Sequence, residues 1–263
     1  MSQTLMAQLK YQGTLITRTP RAFIFGLLVP ALFLALQGHK QANSGVLLQS
    51  VAGFVVFGML NLVYLTYAAG LVLAREEGVL RRWHASPLPR WQYFAGRMIA
   101  YMLMADLAAL ILLLVAASMS GLHLTAAATG SVLLTVTIGG ISMAAAGTIV
   151  TVLLPPGQGA YSMLALTYLP FLVFSGGFGQ INGLPHWVNQ LMSYLPIQPT
   201  VSGVMSGLQH PGVTPGRDVL VLVIWAAAAM ALSVRFFRWD PTRPAHAKRA
   251  PAPSTTTSYA SQL

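Results

Sequence analysis

REEGVLRRWHASPLPRWQYFAGR, residues 75–97, is a charged stretch between two long apolar runs, 46–74 and 98–120. It contains both glutamates of the chain and five of its fifteen Lys and Arg residues. An apolar run of about 20 residues is long enough to cross the hydrocarbon core of a membrane as a helix. The sequence therefore predicts two membrane-spanning helices joined by a charged loop at the membrane surface.

The first half of this loop has the pattern of a short amphipathic helix over residues 75–85. Glu77 and Arg81 lie four residues apart on its polar side. The opposite side carries three apolar residues, Val79, Leu80 and Trp83. Ser-Pro-Leu-Pro at 86–89 then ends the helix, because proline has no N–H and restricts the residue before it. Such a helix suits binding by a partner protein, and a solvated connector fits the composition equally well.

Composition places the chain among integral membrane proteins. Of its 263 residues, 55% are hydrophobic and only 8% are charged, whereas soluble domains carry about 25% charged residues. The length suits one membrane domain. The net charge of +10 belongs to loops and tails, so membrane topology explains it better than nucleic-acid binding. The chain contains no cysteine, which excludes disulfides and thiolate sites.

We predict an all-α membrane fold with six transmembrane helices. Their apolar segments are residues 21–37, 46–74, 93 or 98–120, 125–154, 160–174 and 218–235. Residues 1–20 carry an apolar stripe at helical spacing, which is typical of an interfacial helix that lies in the membrane plane. Residues 241–263 are rich in Pro, Ala, Ser and Thr, so we expect a disordered cytoplasmic tail.

The distribution of basic residues predicts the orientation. Six spans place both termini on the same side of the membrane. If that side is the cytoplasm, thirteen of the fifteen Lys and Arg residues are internal, and only Lys40 and Arg217 are external. Because cytoplasmic segments carry the excess of basic residues, we expect both termini and the 75–97 loop to face the cytoplasm. The high arginine and alanine content is typical of a GC-rich bacterium, so we expect the bacterial inner (plasma) membrane.

Residues 175–216 are too polar and too interrupted by Pro and Gly to span the membrane. The aromatic and apolar residues between Pro185 and Pro196 predict an amphipathic helix, and residues 201–208 predict a second short helix. Two short helices at one leaflet that pack back against the spans are expected to form an external re-entrant hairpin. A long disordered loop is less consistent with this aromatic and apolar content.

Two motifs resemble the permeases of ABC-2 type transporters, in particular bacterial exporters of the daunorubicin and multidrug-efflux type. In the charged loop the matching positions are Glu76, Glu77, Gly78, Val79, Leu80, Pro87, Leu88 and Arg90. In the external region they are Ser175, Gly176, Phe178, Leu184, Pro185, Trp187, Leu195, Pro196 and Pro199. The family's usual threonine after the glycine is Val79 here, and its usual glutamate two residues later is Arg81.

The resemblance implies an ABC-2 type transmembrane domain over residues 1–240, with a coupling helix at 75–90 that sits in a groove of a separate ATPase. The implied ATPase-coupling residues are Arg75, Glu76, Glu77, Gly78, Val79, Leu80, Arg81 and Trp83. The implied external gate contains Ser175, Gly176, Pro185, Trp187 and Pro196. The implied partners are two ATPase subunits, which bind ATP and Mg, and a second permease, identical or similar. No cofactor is expected on this chain.

The chain lacks the residues that ATP hydrolysis requires. A P-loop needs Gly-Lys-Ser/Thr so that backbone amides and the lysine hold phosphate, but the lysines at 10, 40 and 248 follow Leu, His and Ala. The six histidines show no metal-ligand spacing and are scattered over loops. We therefore expect no enzymatic activity in this chain, and the energy for transport must come from a partner or an ion gradient.

Seven residues in or beside the spans are candidates for a substrate path: Asn61, Tyr64, Tyr67, Asp106, Phe171, Phe174 and Phe178. The first three share a helix face and either line a path for an amphiphile or hydrogen-bond between helices. Asp106, the one carboxylate within a span, must face protein or water. It is a proton or substrate site or, in the interpretation that we favour, a protonated or hydrogen-bonded packing residue. The phenylalanines could face substrate or a second protomer.

The predicted function is that of an exporter permease that moves a lipophilic or amphiphilic small molecule, such as a drug, an antibiotic or a lipid, out of the cell. A cell-envelope glycan or lipid-linked polymer is an alternative cargo. A proton-coupled carrier that uses Asp106, and a membrane signalling or immunity subunit, are alternative functions. Besides the ATPase and the second permease, the expected partners are membrane lipid and the hydrophobic substrate, with no nucleic acid.

Overall fold

The structure, a computed structural model, describes residue 14 and residues 21–38, 44–77, 90–120, 122–154, 159–176, 186–213 and 215–236. Apart from Thr14, the predicted interfacial helix at 1–20 lies outside these ranges. Residues 78–89 of the predicted coupling helix and the whole 241–263 tail also lie outside them. Within the described ranges every regular element is helical, in agreement with the predicted all-α class.

Eight helical elements follow one another along these described ranges. α1 is Arg21–Gly38. α2 contains three consecutive segments, which are α-helical Ser44–Met59, π-helical Leu60–Thr66 and α-helical Tyr67–Glu76. The other elements are α3 (Arg90–Ser120), α4 (Ala126–Leu153), α5 (Gly159–Phe174), α6 (His186–Tyr194), α7 (Ile197–Gln209) and α8 (Gly216–Phe236).

A helix lies at each of the six predicted spans, namely α1 to α5 and α8. Among the described residues, three helical stretches are long and apolar enough to cross a membrane: Gly45–Glu76, Ala95–Met119 and Ala126–Leu153. Gly26–Leu36 and Gly159–Phe174 are shorter apolar helices. These helices are those of a membrane protein, while the count of six spans and the re-entrant hairpin stay predictions.

The helices extend further than their apolar segments. α3 begins at Arg90, before either predicted start, 93 or 98. α2 ends at Glu76, two residues beyond the predicted end of its span. Hydropathy marks where the chain enters the membrane interface, whereas a helix ends where its backbone hydrogen bonding ends. The polar residues at both ends of the charged loop therefore continue the helices on either side of it.

α2 occupies the centre of the bundle. In the most apolar 18-residue stretch of α2, 78% is buried, against 44% for the corresponding stretch of α3 and 56% for that of α4. Phe54 stacks against Phe33 of α1 with ring centroids 6.1 Å apart, and Tyr64 is completely buried. α2 also leads directly into the charged loop, so the loop continues from the most buried of the three long apolar helices.

The π-helical segment Leu60–Thr66 in the middle of α2 was not predicted from the sequence. A π-helix pairs residues five apart and contains one extra residue per turn. The Thr66 hydroxyl donates a hydrogen bond to the carbonyl oxygen of Asn61, five residues earlier, at 2.8 Å. Segments of this kind occur frequently at functional sites, and two of the candidate path residues, Asn61 and Tyr64, lie within this one.

α4 packs closely against α2 and α3 through small residues. Gly140, Ala144 and Thr148 recur every fourth residue in the sequence, and all three are buried. A Cβ atom on Gly140 would lie 2.8 Å from the sulfur of Met102, and one on Gly147 would lie 3.1 Å from the Cβ of Ala68. Small side chains at this spacing allow helix backbones to approach closely.

The two short helices predicted between 175 and 216 are present as α6 and α7. α7 begins at Ile197, four residues before the predicted start. Trp225 of α8 donates its indole N–H to the carbonyl oxygen of Tyr194, the last residue of α6, at 2.6 Å. Ser202 of α7 donates its hydroxyl to the carboxylate of Asp218 on α8. α8 therefore holds both short helices against the bundle.

Candidate functional site

Three of the predicted ATPase-coupling residues, Arg75, Glu76 and Glu77, lie within the described residues. They form the end of α2, where the Glu77 N–H donates to the carbonyl oxygen of Leu73 at 2.9 Å. Glu76 and Glu77 are exposed. The other five, Gly78, Val79, Leu80, Arg81 and Trp83, lie outside the described residues. Both carboxylates therefore lie at the surface of the described bundle.

Arg75 points into the protein, and only 8% of it is exposed. Its Nη1 donates to the carbonyl oxygen of Thr151 at 3.0 Å, and its Nη2 donates to that of Leu154 at 3.3 Å. These carbonyls end α4, where the last turn has no intrahelical partners and the helix dipole favours a cation. Arg75 thus attaches the end of α2 to the end of α4.

Arg97 makes a second attachment at the start of α3, and only 4% of it is exposed. Its guanidinium lies over the rings of Tyr67 and Tyr101, 5.6 and 5.4 Å from their centroids. Its Nη2 also donates to the carbonyl oxygen of Tyr67 at 3.5 Å. The side chain lies against Gly70, where a Cβ atom would collide with the guanidinium. Cation–π contacts are strong when, as here, the cation is removed from water.

The two arginines define what we call the coupling end of the bundle, where α2 ends at Glu76 and α3 begins at Arg90. Arg75 was predicted as an ATPase-coupling residue, and the structure directs its buried side chain to the end of α4. Arg97 and Gly70 were not predicted as functional residues. The signal available in the sequence was an arginine at the edge of an apolar run, four residues before Tyr101. A charge in a membrane helix requires a partner, but the sequence does not show that Tyr67 supplies one.

The candidate path residues of α2 fill the interior of the described bundle. The Tyr64 hydroxyl donates to the Thr167 hydroxyl oxygen of α5 at 2.9 Å, and the Tyr64 ring lies 5.1 Å from that of Phe171. Asn61 is half-buried, and its Oδ1 lies close to Gly26 of α1. The structure therefore brings Asn61, Tyr64 and Phe171 to the same region between α1, α2 and α5. Tyr67 lies apart from them, under Arg97.

Asp106 of α3 is half-buried and lies beside α4. The hydroxyl of Thr137 is 2.9 and 3.1 Å from its two carboxylate oxygens and 2.9 Å from the carbonyl oxygen of Leu133. The Asp106 carboxylate within α3 therefore has a hydrogen-bond partner on α4. The remaining path candidates are Phe174, which is half-buried at the end of α5, and Phe178, which lies outside the described residues.

The predicted gate residues are divided between α5, α6 and α7. Ser175 is completely buried at the end of α5 and donates to the carbonyl oxygen of Leu172 at 2.8 Å. Gly176 follows with φ = +77°, a conformation that L side chains rarely adopt. Pro196 is buried between α6 and α7, and its carbonyl oxygen accepts the Thr200 hydroxyl at 2.6 Å. Trp187 is 67% exposed, and Pro185 lies outside the described residues.

In the described part of the chain, no group of three His, Asp or Glu residues is placed to hold a metal ion. Four polar side chains of the bundle instead each hydrogen-bond to a neighbouring helix. Arg75, Asp106, Ser142 and Tyr64 hydrogen-bond to α4, α4, α8 and α5 respectively. This arrangement connects helices to one another.

The sequence matches the ABC-2 type transporter family over residues 1–208. The match includes α1 to α6 and nearly all of α7, together with the charged loop. No curated protein matches the chain at a significant level. A member of this family is a membrane component of a transporter, is not itself an ATPase, and works with an ABC ATPase partner. The chain belongs to the ABC-2 type transporter family and is the permease component of such a transporter.

Proposed function

We propose that this permease exports a lipophilic or amphiphilic small molecule across the bacterial inner membrane, driven by ATP that a partner subunit hydrolyses. Its termini and the 75–97 loop face the cytoplasm, and two ATPase subunits act on a pair of permeases. The observation that carries the proposal is the attachment of both ends of the charged loop to the bundle through buried arginines, Arg75 and Arg97. A force on the loop that displaces Arg75 or Arg97 would therefore act on α2, α3 and α4.

Coupling in this proposal is mechanical. The ATPase pair closes on ATP and pushes on the segment from Glu76 to Trp83. This segment follows directly on α2, and the charged loop leads on into α3, which begins at Arg90. α2 is the most buried of the three long apolar helices in the described residues. The displacement therefore changes the packing of the core. Cargo leaves on the opposite side when the packing around the short helices α6 and α7 opens.

The proposed cargo follows from the lining of the region between α1, α2 and α5. Its described side chains are aromatic or uncharged, and the ring of Tyr64 contacts those of both Tyr168 and Phe171. The buried Tyr168 hydroxyl approaches Asn61 without a hydrogen bond of good geometry. Aromatic surface with a few uncharged polar groups suits an amphiphile better than a long glycan or a lipid-linked polymer, which would need a row of hydrogen-bonding groups.

Reversing the charge of Glu77 tests the coupling role. We expect Glu77→Lys to abolish co-purification with the cognate ABC ATPase and the associated ATP turnover, because the exposed carboxylate becomes a cation. Arg217→Glu is the matched control, since Arg217 is exposed at the start of α8, which packs against α4 and α7 rather than against the end of α2. It should retain both properties. If the unmodified chain binds no ATPase, or if Glu77→Lys binds it normally, the proposal is wrong.

A proton-coupled carrier is the second candidate, because Asp106 is half-buried beside α4 in a membrane helix. Asp106→Asn separates the two functions. Asparagine keeps an oxygen for the Thr137 hydroxyl but cannot bind and release a proton, so a carrier would lose activity. The exporter should retain ATP turnover in the reconstituted complex. Proton uptake into vesicles that contain this chain without any ATPase would favour the carrier.

A further inference from the structure

α4 connects the coupling end of the bundle to the short helix α7 at the opposite end. It contains 28 residues from Ala126 to Leu153, and at about 1.5 Å per residue such a helix is about 42 Å long. It contains no proline. The Thr125 hydroxyl caps its first turn by accepting a hydrogen bond from the N–H of Ala128 at 3.2 Å. α4 can therefore move as one rigid element.

At the coupling end, Arg75 joins α4 to α2. Its guanidinium is held by two carbonyl oxygens of the last turn of α4, from Thr151 and Leu154. In the described residues its Nε has no partner. Moving this buried guanidinium away from α4 would remove its two carbonyl partners and leave the charge unpaired. The end of α2 therefore carries α4 with it when it moves.

At the other end, α4 meets α7 through a row of small residues with little free space. Ser131, Thr135 and Gly139 recur every fourth residue on α4 and are buried. They face Gly207, Gly203 and Thr200 of α7, in that order. A Cβ atom on Gly203 would lie 2.7 Å from Thr135, and one on Gly139 would lie 2.5 Å from Thr200. Two helices in such close contact cannot slide past each other without repacking, so α7 follows α4.

We propose that Arg75 is the positioning residue that transmits the movement of the charged loop through α4 to α7. The inference rests on the proposed function and adds to it a defined route, from the end of α2 through α4 to the short helices. Arg97 joins α3 to α2 through Tyr67 and serves to hold the loop. Arg75 determines that a displacement of the loop passes to α4. Substituting Arg75 should uncouple ATP hydrolysis from the movement of α7.

The absence of cysteine from the chain allows a direct test with a single reporter. Ser206 of α7 is half-buried, so the reaction rate of Ser206→Cys with a maleimide reports on movement of α7. The permease–ATPase complex is reconstituted in nanodiscs, and the rate is compared between the nucleotide-free and the vanadate-trapped complex. Because allosteric couplings change equilibria by about 5- to 150-fold, we expect trapping to change the rate at least about fivefold.

In Arg75→Gln we expect the rate to stay within about twofold on trapping, which corresponds to the smallest coupling changes that mutations produce, about 0.5 kcal/mol. ATPase binding and ATP turnover should persist, because the side chain of Arg75 is buried against α4 and is not offered to a partner. Arg75→Lys keeps a cation at the carbonyls of α4 and should respond to an intermediate degree. It also decides the question if Arg75→Gln does not fold. A full response in Arg75→Gln or in a folded Arg75→Ala would overturn the inference alone, as would loss of ATPase binding. No ATPase binding or no response in the unsubstituted chain would overturn the proposed function as well.

Discussion

Gly139 shows how little space a single position leaves in this bundle. A Cβ atom there would lie 2.5 and 2.6 Å from the side-chain atoms of Thr200 on α7, distances that real Cβ contacts do not show. Gly130, nine residues earlier on the same helix, has nothing within 4 Å of the corresponding position. The two glycines look equivalent in the sequence, and only one of them determines how closely two helices approach.

A methyl group at each glycine should therefore have different effects. We expect Gly139→Ala to lower the free energy of unfolding by about 1–3 kcal/mol, because overpacking a close contact forces the helices apart. Gly130→Ala should leave it unchanged or raise it slightly, since alanine favours the helix more than glycine does. Reversible unfolding in mixed detergent micelles measures both variants. Equal stabilities for the two would contradict the packing of α4 against α7.

At the scale of elements, the short helix α6 is held by its end. Its amphipathic sequence predicts a helix, but nine residues are too few for an isolated helix to be stable in water. The indole of Trp225 on α8 donates to the carbonyl oxygen of Tyr194 at 2.6 Å. This carbonyl lies in the last turn of α6, where it has no intrahelical partner. The contact with α8 therefore stabilises α6.

Removing the indole donor should loosen α6 selectively. We expect Trp225→Phe to destabilise this attachment by about 0.5–1.5 kcal/mol, the net value of a typical hydrogen bond. Hydrogen exchange followed by mass spectrometry should be faster in peptides that cover residues 186–196 and unchanged in those from α4. Trp187→Phe is the control, since Trp187 lies on α6 itself and is largely exposed. Uniformly faster exchange, or no change in α6, would show that Trp225 does not hold this helix.

At the scale of the whole molecule, the orientation in the membrane rests on the basic residues. Thirteen of the fifteen Lys and Arg residues lie on one side in a six-span topology with cytoplasmic termini. The structure places Glu77 at the coupling end and His123 and His210 at the opposite end, all of them exposed. These three positions therefore report on the two sides of the membrane.

Single cysteines at these positions should react from different sides. With a membrane-impermeant maleimide, we expect His123→Cys and His210→Cys to be labelled in intact cells. Glu77→Cys should be labelled only after the membrane is permeabilised, because the proposed topology places its loop in the cytoplasm. The unsubstituted chain contains no cysteine and serves as the blank. Labelling of Glu77→Cys in intact cells would reverse the orientation and remove the basis for ATPase coupling.

Some of the site was predictable, and some of it was not. Glu76 and Glu77 are recognisable from a charged loop between apolar runs, and both are exposed at the end of α2. The inward direction of the Arg75 side chain was not predictable. Its partners are two backbone carbonyls 76 and 79 residues away in the chain, and every residue has such a carbonyl. Tyr67 and Tyr64 share a helical spacing in the sequence, but the π-helical segment between them and their different neighbours place them in separate environments.

The amino-acid sequence by itself determined the class of protein, the positions of the helices and the location of the charged loop. These features follow from local composition, because the transfer of apolar segments into a membrane and the hydrogen bonding of a helix depend on neighbouring residues. Only the tertiary structure decided that Arg75 attaches α2 to α4, that Arg97 lies over Gly70, and that Gly139 meets Thr200. Such contacts depend on which faces of distant helices meet, and in a lipid solvent hydrophobicity does not select among apolar faces.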